Sequence, residues 1–82
     1  MKVKIYSTPM CHFCHMTKDF LNENKVEFED INVATDQKAA EEMVKKSGQM
    51  GVPVIAITKD DGQEELLVGF QEQKLREILN IK

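Results

Sequence analysis

Cysteine is scarce in this chain: 82 residues carry only two, three positions apart. A small secreted scaffold would carry more, spread along its length, so a disulfide framework is excluded. Positive charge is also in deficit, with 11 Lys and Arg against 14 Asp and Glu and a net charge of −3. Nucleic-acid binding by phosphate neutralisation needs a net basic face, which this balance does not supply. The longest unbroken apolar run, Val52 to Ile57, is six residues, far short of the roughly 20 that span a bilayer. The opening Met1-Lys2-Val3-Lys4-Ile5-Tyr6 alternates and lacks the apolar segment of a signal peptide. There is no internal repeat, low-complexity stretch or linker. These absences lead us to expect one domain over residues 1–82 that is cytoplasmic and monomeric, with neither nucleic acid nor membrane as partner. Its two thiols would then be chemical rather than structural.

What is present is apolar periodicity from end to end. Val3 to Tyr6 alternates as a strand and stops at Ser7-Thr8-Pro9. From Cys11 to about Asn24, Phe13, Met16, Phe20 and Leu21 recur at helical spacing and form the expected buried stripe. Residues 26–33 read as a second strand. Phe28 and Ile31 break its alternation, so an edge strand or a bend is expected there. Thr35-Asp36 can cap a helix burying Ala39, Ala40, Met43 and Val44, with Gly48 as its stop. Residues 53–58 form a continuous apolar strand, Asp61-Gly62 a turn, and residues 65–68 a return strand, an antiparallel hairpin. Residues 71–80 make a last helix with Leu75, Ile78 and Leu79 inward. The order β-α-β-α-β-β-α predicts an α/β fold in which helices cover both faces of a small mixed sheet. Lys2 and Lys4 do not fit a fully covered central strand.

The two cysteines lie where the first strand turns into the first helix, as Cys11-His12-Phe13-Cys14. Residues i and i+3 on a helix have Cβ atoms about 5–6 Å apart, whereas a disulfide wants about 3.5–4.5 Å. In mid-helix the pair would be strained; in the first turn it can close and open. The sulfurs become unequal there. Cys11 faces the unpaired N–H groups of the helix tip, which favour a thiolate, while Cys14 lies one turn in and is more covered. Cys11 is therefore the expected nucleophile and Cys14 the resolving thiol. A positive charge on His12, between them, would favour the thiolate further, and His15 reads as a solvated histidine. Two rivals use the same residues. Cys11-x-x-Cys14-His15 matches a covalent haem attachment motif, but that chemistry needs an exported chain and a helical surround. Met10, Met16, Met43 and Met50 could be axial ligands, yet Met16 and Met43 sit at core spacing. A metal site from Cys11, His12, Cys14 and His15 lacks the second ligand pair of a structural zinc site, so no metal is expected.

The chain resembles the glutaredoxins, the small branch of the thioredoxin superfamily, over essentially its whole length. Three segments carry the resemblance: Tyr6-Ser7-Thr8-Pro9-Met10-Cys11-His12-Phe13-Cys14, Ser47-Gly48-Gln49-Met50-Gly51-Val52-Pro53-Val54-Ile55, and Val68-Gly69-Phe70 before the last helix. The resemblance implies a thioredoxin-like fold, a four-stranded mixed sheet flanked by three helices. It implies a cis Val52-Pro53 bond beside the cysteines, with the backbone of Val52 pairing with a substrate segment like a short added strand. It also implies a thiol–disulfide oxidoreductase that holds no tight cofactor and uses glutathione or a thioredoxin reductase as electron donor.

Departures from the family pattern bear on the substrate. His12 and Phe13 replace the inner pair of the usual Cys-Pro-Tyr-Cys. Basic residues that often accompany glutathione binding are replaced by Ser7-Thr8 and by Met50-Gly51, and a Gly-Gly with an acidic pair by Gly69-Phe70-Gln71-Glu72. Gly-Phe here is similar to the glutaredoxin-like reductants of ribonucleotide reductase, which draw electrons from thioredoxin reductase. We expect Met10, Phe13, Val52 and Phe70 to form an apolar rim around Cys11 that docks protein disulfides rather than glutathione. His12, Pro53 and Gly69 complete the expected binding residues. Two other readings are an iron–sulfur carrier ligated through Cys11 and a partner-binding module that kept the fold for docking.

Overall fold

The computed structural model describes residues 2–49 and 51–81. Seven elements follow in order: β1 (Lys2–Ser7), α1 (His12–Glu23), β2 (Glu29–Asn32), α2 (Gln37–Ser47), β3 (Val54–Thr58), β4 (Glu64–Val68) and α3 (Glu72–Leu79). The four strands form one sheet in the order β2-β1-β3-β4. β1 runs parallel to β2, with Tyr6 opposite Ile31, and antiparallel to β3, with Ile5 opposite Ile55. β3 and β4 are antiparallel, with Ile55 opposite Leu67. This is the thioredoxin-like fold that the resemblance implies.

Alternation divides the apolar side chains between two cores. On one face, Val3, Ile5, Ile55, Ile57 and Leu67 meet Phe20 and Leu21 of α1 and Leu75 of α3. On the other face, Tyr6, Val54 and Ala56 meet the buried Ala39 and Met43 of α2, with Ile31, Val33, Val52 and Leu66 partly buried at the edges. The second face is thus partly uncovered, which accounts for Lys2 and Lys4. They share the Tyr6 face of β1, where Lys2 is exposed and Lys4 half-buried, its charge acting on Glu42 of α2.

β2 is shorter than the sequence suggests, for a packing reason. β2 begins at Glu29, not residue 26. Val26 is tied to α1 through its N–H to the Leu21 carbonyl, 2.9 Å, and packs with Phe28 on the α1 core, whereas Ile31 and Val33 turn to the α2 core. The broken alternation is the crossing from one core to the other, and β2 is indeed an edge strand. In α2, the Asp36 carboxylate caps by accepting the Ala39 N–H at 3.1 Å, and Gly48 ends the helix at φ 76°, a left-handed conformation cheap only for glycine. Ala39 and Met43 are buried as expected; Ala40 and Val44 are only half-buried.

Candidate active site at the first helix tip

The site begins where β1 ends. Ser7 is buried at the end of β1, and the chain turns through Thr8, Pro9 and Met10, closed by the Cys11 N–H donating to the Thr8 carbonyl at 3.3 Å. Cys11 then takes an extended backbone (φ −90°, ψ 113°) and occupies the N-cap of α1. The side-chain oxygen that usually caps a helix is here a sulfur: Cys11 Sγ accepts the N–H of Cys14 at 3.2 Å. His15 is exposed but not idle. Its Nε2 lies 2.8 Å from the Pro9 carbonyl, so a proton on that nitrogen ties the turn back to the helix.

The structure makes the two sulfurs unequal. Cys11 is partly exposed, whereas Cys14 is 0% exposed. Burial, followed by the hydrogen bond with Cys11, pushes the Cys14 thiol up to about 12, while the Thr8 N–H and the Lys18 charge pull less strongly the other way. The buried stripe of α1 is Cys14, Thr17, Phe20 and Leu21. Phe13 and Met16, expected on that stripe, face outward at 57% and 37% exposure. The smaller Cys14 and Thr17 take the inward positions, and the Thr17 hydroxyl stays satisfied by donating to the Phe13 carbonyl at 2.8 Å.

The other expected site residues fall into two groups. The Val52-Pro53 bond is cis, and Pro53 is buried. Gly69 is brought to it, its N–H donating to the Pro53 carbonyl at 2.8 Å. Gly69 holds φ 80° with open space where a Cβ would stand, so backbone conformation rather than crowding is what favours glycine there. The apolar rim is less continuous than expected. Val52 packs on the α2 core and Phe70 on the α1 and α3 core, its ring edge-on to Phe20 at 5.8 Å. Met10, at 94% exposure, and Phe13 are the outward apolar side chains in the cysteine segment. Exposed His12 lies edge-on to Phe13, ring centroids 5.8 Å apart. Met50 lies outside the described residues. Among the described residues no group of three or more His, Cys, Asp and Glu could hold a metal ion, and no helix is long and apolar enough to cross a membrane.

One charged cluster beside the site escapes the motif reading. The Lys18 ammonium bonds Asp30 Oδ2 at 3.0 Å, and the Ser7 hydroxyl donates to Asp30 Oδ1 at 2.7 Å. Its only trace in the sequence is a lysine four residues after Cys14.

A glutaredoxin family model matches residues 3–61. An uncharacterized glutaredoxin-like 8.6 kDa protein in the rubredoxin operon of Clostridium pasteurianum is 44% identical over 77 residues, covering 94% of this chain and 96% of that protein. Among solved structures, the T8A mutant of the thioredoxin-like protein BC3987 superposes with a TM-score of 0.86 at 33% identity, covering 99% of this chain and 97% of that one. The glutaredoxin-like NrdH-redoxin from Escherichia coli superposes with a TM-score of 0.78 at 29% identity, covering 95% of each chain.

Proposed function

Because the chain belongs to the glutaredoxin family of thiol–disulfide oxidoreductases, we propose that it reduces disulfides by a dithiol route in which Cys11 attacks and Cys14 resolves. The observation that carries the assignment of roles is the asymmetry at the helix tip: one sulfur reachable and capping, the other buried one turn away. The Cys11 thiolate attacks one substrate sulfur, the substrate S–S bond breaks, and the departing thiolate takes a proton. Cys14 then loses its proton and attacks the Cys11 sulfur, forming the Cys11–Cys14 disulfide and releasing the second substrate thiol. Two electrons have passed from the pair to the substrate, and a dithiol donor or two molecules of glutathione return them.

Protein disulfides are the favoured substrates, and a thioredoxin reductase the favoured donor. Met10 and Phe13 offer apolar surface next to Cys11, and the positions that would hold glutathione's carboxylates carry no cation, with Ser7 and Thr8 before the cysteines and Gly51 before Val52. The E. coli NrdH-redoxin, similar over 95% of the chain, is described as having a thioredoxin-like activity profile, which supports the same preference here. The Val52 backbone would align the substrate segment, with Gly69 bracing the Pro53 turn. Two cysteines in a small chain suit the reducing cytoplasm. The iron–sulfur reading gains no support from the described residues.

The test is differential alkylation of the reduced protein with iodoacetamide at pH 7, read by mass spectrometry, together with turnover of a protein disulfide. We expect modification at Cys11 first, loss of turnover in Cys11→Ser, and a trapped mixed disulfide in Cys14→Ser. Faster labelling of Cys14 would reverse the roles. Efficient reduction by glutathione alone would remove the protein-disulfide preference.

A further inference from the structure

Resolution poses a problem that the helix tip does not solve. Burial pushes the Cys14 thiol well up, so little of it is thiolate at pH 7. Once Cys11 is held in a mixed disulfide, it can no longer act on Cys14 as a thiol or thiolate. Burial remains, opposed by the Thr8 N–H from the turn and by Lys18.

Lys18 follows Cys14 by four residues on α1, a spacing that puts Cβ atoms about 5–6 Å apart on one helix face. A lysine at such a position would ordinarily swing into solvent. Here it is held from two strands. Its ammonium is 3.0 Å from Asp30 Oδ2 on β2, and Asp30 is held by the buried Ser7 hydroxyl at the end of β1. Both carboxylate oxygens are thus engaged. The Lys18 side chain is 19% exposed, so its stem is packed against the protein and its ammonium is held in one place at the surface.

We propose that Lys18, clamped by Asp30 and Ser7, is a positioning residue for resolution, placing a fixed positive charge where the Cys14 thiolate forms. This rests on the reading of Cys14 as the resolving thiol. The charge acts through Cys14 and need not touch substrate. His15, on the exposed side of the same helix, contributes its field to Asp30, so the clamp is the meeting point of α1, β1 and β2.

Stopped-flow reaction of the reduced protein with dithiobis(nitrobenzoic acid) separates the two steps. Attack by Cys11 releases one thionitrobenzoate, and attack by Cys14 on the resulting mixed disulfide releases the second. In Lys18→Gln we expect the second phase to slow about 10-fold at pH 7 and its pH profile to move up by about one unit. Lys18→Arg, which keeps the charge, should stay within about threefold of wild type. A second phase in Lys18→Gln that overlays the wild type across pH 6–9 overturns the inference. So does a Lys18→Arg variant as slow as Lys18→Gln, because shape rather than charge would then be responsible. A wild-type protein that stops after one equivalent overturns the assignment of Cys14 itself, and the inference with it.

Discussion

The buried Cys14 thiol links the chemistry of one side chain to the stability of the whole. Burial holds its titration at about 12 in the folded chain, against about 8.5 for a free thiol. Between those values the folded state keeps a proton that the unfolded state has released. Stability from this group is therefore intact below about pH 8.5 and lost as pH rises toward 12. We expect the urea midpoint of the reduced wild type to fall more steeply between pH 9 and 11 than that of Cys14→Ala; parallel slopes would contradict the assignment. The two cysteines were legible because their spacing and place after a strand constrain the chemistry whatever surrounds them. The orientation of Phe13 and Met16 was not, because hydrophobicity at helical spacing does not say which of two adjacent stripes meets the sheet. The stripe that meets the sheet is the one carrying the smaller Cys14 and Thr17 with Phe20 and Leu21.

Among the elements, α2 carries a side-chain cap at one end and a glycine stop at the other. It covers its face of the sheet alone and buries only Ala39 and Met43 fully. Asp36 supplies the N-terminal cap, so Asp36→Ala should destabilise the protein by about 1 kcal/mol, read as a lower urea midpoint with an unchanged slope. Element types followed from periodicity throughout, and the hairpin turn and the Gly48 stop from local chemistry. Boundaries failed where tertiary packing intervened. Residues 26–28 have strand-like composition, but Val26 and Phe28 are drawn to the α1 core before pairing begins. The contact between Gly69 and Pro53 was also invisible, since a backbone N–H has no signature in side-chain identity.

For the whole molecule, the two cores are of unequal size. The one under α1 and α3 carries eight buried apolar residues and that under α2 five. An 82-residue chain has only about 5–10 kcal/mol of net stability to lose. Leu21, fully buried in the larger core, should cost about 2–5 kcal/mol on replacement by Ala, measured by urea unfolding. The smaller core is supplemented by polar contacts. The buried Tyr6 donates to Glu42 at 3.1 Å, and Lys46 reaches both Glu42 and Glu64. The Tyr6 hydrogen bond, followed by that of Lys46, holds Glu42 below the ordinary carboxylate range. Such exposed ion pairs contribute little individually.

The strand order also bears on biosynthesis. The second neighbour of β1 is β3, so Val3 meets Ile57 only after most of the polypeptide has been made. A nascent chain leaving the ribosome can assemble β1, α1, β2 and α2, but one flank of its innermost strand stays open until β3 emerges. Until β3 pairs, the strand that leads into the Cys11 turn has a neighbour on one flank only.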